Sequence, residues 1–75
     1  MFLVDMETGQ SGKIVNILGG YTLVTRLNNL GVREGQEITK VSATLMQGPV
    51  VIQIGTAKVA IGFGMARKVI VELDE

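Results

Sequence analysis

The sequence predicts an all-β fold, a small barrel carrying one short helix. Three observations predict it. Short apolar runs are bounded by glycines, as strands ending in tight turns require. Apolar residues alternate at Val50, Ile52 and Ile54 and again at Val69, Val71 and Leu73, the two-residue period of a half-buried strand. Only one stretch, Leu23, Leu27 and Leu30, has the spacing of a helix face. With 75 residues there is room for one core, so residues 1–75 are expected to form a single domain.

The elements follow in order. Phe2, Leu3 and Val4 are expected to cap an open end of the barrel. Thr8 to Gly12 reads as a turn. Lys13 to Leu18 is rich in β-branched residues and reads as the first strand. Gly19-Gly20 forms a corner into the helix. Leu23, Leu27 and Leu30 face the barrel, and Thr25, Asn28 and Asn29 face water. Gly31 follows the last leucine and can take the left-handed conformation that closes a helix. Gln36 to Val41 reads as the second strand. Ile38 and Val41 have opposite parity there, which predicts a bulge between them.

Ala43 to Gly48 reads as a loop presenting Leu45 and Met46. Pro49 suits the entry to the third strand, where its missing donor costs least. Gly55-Thr56-Ala57 makes a hairpin loop, and Val59 and Ile61 continue the inward face. Gly62 to Ala66 is a connector, read as one turn of 3₁₀ helix, before the last strand. Phe63 within it has two readings: a plug for the barrel, or an exposed anchor for a partner.

Composition excludes several function classes. The chain lacks cysteine and histidine, which removes disulfides, thiolate metal sites and the commonest general base. Serines and threonines therefore have no histidine to activate them. Seven basic residues balance seven acidic ones, whereas a nucleic-acid binder carries a positive excess. Lys13, Arg26, Arg33, Lys40, Lys58, Arg67 and Lys68 read as solubilising surface charges. No apolar run approaches the roughly 20 residues of a spanning helix, and no secretory signal is seen. The expectation is a cytoplasmic protein without direct membrane insertion.

Neither of two glycine motifs fits nucleotide binding. Gly19-Gly20 lacks the lysine and hydroxyl of a phosphate-binding loop. Gly62-Phe63-Gly64 lies between strands and opens no long helix, unlike a dinucleotide fingerprint. Glu72, Asp74 and Glu75 cluster at the terminus, where rigid convergent ligands are not expected. Neither a cofactor nor a catalytic residue is assigned.

In their order, four segments resemble the FeoA family of prokaryotic ferrous iron uptake. They are Gly9 to Val15 before the double glycine, Arg26 to Val32 with Gly35 after it, Gly48 to Ile52, and Ala60 to Ala66. The family often has a polar or basic residue where this chain has Phe63. The resemblance implies an SH3-like barrel that is not an enzyme. It implies a cytoplasmic accessory protein contacting FeoB, a membrane transporter with a cytosolic GTPase domain. It leaves a homo-oligomer open. The alternative is a stand-alone SH3-like adaptor binding a peptide or protein, similar to the C-terminal domain of metal-dependent repressors. The candidate partner-binding residues are Leu45, Met46 and Phe63.

With no histidine or cysteine, ferrous iron has no soft or imidazole ligand to select it. Anaerobic titration calorimetry on the isolated protein should show no one-to-one site of submicromolar affinity. Such a site would contradict the reading.

Overall fold

The structure, a computed structural model, describes residues 1–43 and 46–74. Five strands form one antiparallel sheet: β1 (Ser11–Ile17), β2 (Glu37–Ala43), β3 (Val50–Ile54), β4 (Ala57–Ile61) and β5 (Val69–Leu73). Their order is β4-β3-β2-β1-β5, so the first strand pairs with the last. Helix α1 (Tyr21–Asn29) follows β1, and α2 (Phe63–Ala66) precedes β5. The connector from Gly62 is thus a turn of α-helix rather than the expected 3₁₀ turn, although the Gly62 carbonyl accepts from both Met65 (3.0 Å) and Ala66 (2.9 Å).

The alternation in the sequence becomes the core. Val50, Ile52, Val69 and Val71 are buried, as are Ile38 and Ile61. Ile54, Val59 and Leu73 are partly buried against them. No aromatic residue belongs to the buried cluster, so aliphatic side chains fill it.

Two bulges bend the sheet. One lies at Val41, between Lys40 and Ser42, where opposite parity at Ile38 and Val41 predicts it. The other lies at Val15, between Ile14 and Asn16, and was not expected. It lets Ile14 and Ile17, three residues apart, both reach the core, and it leaves Val15 and Asn16 exposed. A bulge increases local twist, which curls so short a sheet around one core.

Helix α1 docks through Leu23, Val24 and Leu27. Leu30 does not complete the stripe: it is the C-cap residue and is 41% exposed. The chain turns before Leu30 can follow the helix face. Gly31, at φ +91°, donates to Asn28 O (3.0 Å), and Val32 donates to Leu27 O (2.9 Å). These are the paired bonds of a Schellman cap. The buried position expected for Leu30 is taken by Val32, fully buried beside Leu27. Thr25 and Asn28 are half-buried rather than fully wet.

The N-terminus closes the core through Leu3 as expected, with Val4 packed against the cluster, but Met6 rather than Phe2 completes it. Leu3–Asp5 forms one 3₁₀ turn, and Leu3 and Met6 are buried, while Phe2 is exposed. Lys40, expected at the surface, is only 3% exposed. Its Nζ donates to the carbonyls of Leu3 (3.3 Å), Val4 (3.1 Å) and Met6 (2.6 Å). Burial pushes the ammonium below its ordinary pKa, with nearby Asp5 opposing that shift.

Removing Lys40 strands the Val4 and Met6 carbonyls, while the Leu3 carbonyl keeps its bond from Met6 N (3.2 Å). Lys40→Met should therefore cost about 1–3 kcal/mol. The pH dependence has a definite sign. Between the lowered folded-state pKa and the ordinary lysine value, the unfolded chain binds more protons than the folded one, so stability rises with pH across that window. Urea unfolding of the wild type from neutral to alkaline pH should show this rise superimposed on other titrations. The difference between wild type and Lys40→Met should grow with pH. A difference independent of pH would contradict the assignment.

Candidate functional site

The strand directions define two ends of the sheet. At one end lie the β2–β3 loop and the exit of β4, since Val50 pairs with both Ala43 and Ile61. Met46 and Phe63 both belong to connections leaving this end. Met46 is 96% exposed. Phe63 is half-buried at the start of α2 and lies outside the core cluster. The closure foreseen in its plug reading is made by Leu3 and Met6. Leu45 lies outside the described residues.

The opposite end carries a feature that the sequence reading missed. Ile17 at the end of β1, Val24 and Asn28 on α1, and Arg33 and Glu34 in the turn before β2 line a recess of about 250 Å³. Ile17 and Val24 supply apolar surface. Arg33 Nε donates to the Asn28 carbonyl at 3.4 Å, which holds the turn against the helix end. Tyr21, Val24 and Asn28 fall at i, i+3 and i+7, one face of α1. Tyr21 therefore extends the same face, and it is 87% exposed. Leu18, also exposed, precedes the helix. The recess has an apolar floor and a polar, charged rim, a form that suits a side chain offered by a partner.

A signal for this face was present in the chain. Tyr21 and Val24 flank the leucine stripe, and a barrel this small cannot bury every apolar residue of its helix.

Glu37, Asp74 and Lys13 lie close to one another across β1, β2 and the end of β5. Glu37 is pushed above the usual carboxylate range, first by its hydrogen bond with Asp74, then by burial and by repulsion from Asp74, with Lys13 opposing. Among the described residues, no group of three or more His, Cys, Asp or Glu side chains could hold a metal ion. Ser11 Oγ lies 2.7 Å from Thr39 Oγ1 and links two neighbouring strands. No helix among the described residues is long and apolar enough to cross a membrane.

The family model described as FeoA domain matches residues 1–73. A solved iron uptake regulatory protein, FeoA, is 34% identical, with 97% of this chain and 96% of that one covered at a TM-score of 0.90. FeoA of Stenotrophomonas maltophilia, solved with zinc, is 24% identical over 96% of this chain and 89% of that one, at a TM-score of 0.77. That protein is described as a prokaryotic SH3 domain protein and a candidate ferrous iron transport activating factor. A manganese-dependent transcriptional repressor is 16% identical over 92% of this chain but 39% of its own, at a TM-score of 0.84. It shares the fold. None of the curated proteins compared matches the chain. The fold is the SH3-like barrel.

At the other end, Met46 and Gln47 take left-handed backbone angles, φ 60° and 63°, which cost any residue with a Cβ. Gln47→Gly should raise stability by about 0.5–1 kcal/mol after the glycine's own entropy cost. Thermal unfolding is the check, at roughly 4–8 °C per kcal/mol for a domain of this size. A lower melting temperature would contradict the angle.

Proposed function

The chain belongs to the FeoA family, and on that premise we propose that it is a cytoplasmic accessory protein of ferrous iron uptake, acting by contact with the cytosolic part of a FeoB-type membrane GTPase. The observation that carries this reading is the recess between β1, α1 and the turn before β2. Contact requires a surface that holds its shape without the partner. Ile17 is anchored in the core, Val24 packs against it, and the Schellman cap fixes the turn that carries Arg33 and Glu34. An apolar side chain entering between Ile17 and Val24 would gain about 1.5–3 kcal/mol from burial. Tyr21 beside it offers a large rigid face with a polar tip, a residue type favoured at binding hot spots.

Met46 and Phe63 at the opposite end supply a second, smaller contact. The description of the Stenotrophomonas maltophilia protein as a candidate transport activating factor supports a supporting or regulatory role rather than transport itself. The whole 1–73 match supports one domain acting as a unit.

Tyr21→Ala separates binding from stability, because so exposed a side chain contributes little packing. The variant should weaken binding to a FeoB-type cytosolic domain at least tenfold, about 1.4 kcal/mol, with its melting temperature nearly unchanged. Phe63→Ser, measured in the same way, should weaken binding with only a modest loss of stability. Unchanged affinity in Tyr21→Ala would remove the helix face from the interface.

A further inference from the structure

The two edges of the sheet differ. Beyond β5 the chain covers itself: the Met1 amino group donates to Val71 O (3.1 Å), Val71 N donates to Met1 O (2.7 Å), and Phe2 bridges to Ile70. Beyond β4 no described strand pairs. The turn before β4 determines which of its backbone groups are left over. Gly55, at φ +60°, and Thr56 join the closing pair Ile54 and Ala57. In a two-residue hairpin that pair is hydrogen-bonded, and bonded pairs alternate from there. Ala57, Val59 and Ile61 thus turn their N–H and C=O groups to β3. Lys58 and Ala60 turn theirs outward.

No bulge or proline interrupts this edge. Among the described residues no carboxylate pairs with the Lys58 ammonium. Ala60, two residues on along the same face, is small and exposed, which leaves room beside the lysine.

We propose that β4 accepts an extended acidic segment of a protein partner as an added strand. The outward N–H and C=O groups of Lys58 and Ala60 pair with its main chain, and a carboxylate faces Lys58. Strand addition of this kind takes affinity from the backbone and specificity from alternate side chains. A second copy fits less well. β4 reads Ala57-Lys58-Val59-Ala60-Ile61 and offers no carboxylate to Lys58. Self-pairing also places both lysines on one face.

This inference is independent of the transporter reading, and its probe contains no transporter sequence. The probe is an acetylated synthetic hexapeptide of alternating Glu and Val, compared with its Lys-Val counterpart and with a version N-methylated at alternate amides. Titrated into the isotope-labelled full chain, the Glu-Val peptide should shift the Lys58 and Ala60 amide resonances and slow their hydrogen exchange at least fivefold. The Lys-Val peptide should bind at least tenfold more weakly, and N-methylation should abolish binding. Lys58→Glu, a surface change that leaves the fold intact, should reverse the preference between the two charged peptides. The proposal is overturned by absence of binding at millimolar peptide, by shifts confined to another surface, or by a preference that Lys58→Glu leaves unchanged. Sedimentation of the protein alone as a Lys58-dependent dimer would overturn the choice of occupant.

Discussion

A single buried ammonium organises this small barrel. The Lys40 Nζ carries three donors, and each finds a carbonyl of the N-terminal segment: Leu3, Val4 and Met6. A buried charge is costly unless it is hydrogen-bonded, and the 3₁₀ turn supplies the acceptors. The dependence runs both ways, because the carbonyls of so short a turn have few partners of their own. The lysine backbone adds to the tie: Gly9 N donates to Lys40 O at 2.7 Å, and Lys40 N to Gln10 O at 2.9 Å. With the segment held, Leu3 and Met6 close a core that contains no aromatic residue. Met1 and Phe2 are then placed to cover the edge of β5.

Much of this was legible in the chain. β3 and β5 were readable because Val50, Ile52, Val69 and Val71 alternate without interruption. Gly31 marked the helix end, and the parity of Ile38 and Val41 marked a bulge. The failures have specific causes. Lys40 shares the parity of Ile38, so a strand that buries one buries the other. Its charge argued for solvent, and only the folded chain brings the carbonyls that satisfy it. Ile14 and Ile17 stand three apart, which carried the bulge at Val15 in plain view. Leu30 continued the helical spacing, but the Schellman bonds turn the chain first and Val32 fills the space.

The candidate site was less legible for a different reason. Its lining comes from positions 17, 24, 28, 33 and 34, and no local pattern relates them. The return of the chain after Gly31 brings the turn back to the helix. Leu45 and Met46 stood out in the sequence as an apolar pair between Thr44 and Gln47, and Phe63 because it lies between two glycines. Met46 and Phe63 both belong to connections that leave the sheet where Ala43 and Ile61 end, and neither lines the recess. A small barrel can do its work by presenting such surfaces, and its packed core keeps them in register.

The recess as the principal contact is the claim on which the functional account rests. Amide shift mapping of the isotope-labelled chain with an unlabelled FeoB-type cytosolic domain tests it directly. The account predicts that the largest perturbations fall on Ile17, Tyr21, Val24, Asn28, Arg33 and Glu34. Saturable binding that leaves those six residues unperturbed would contradict it.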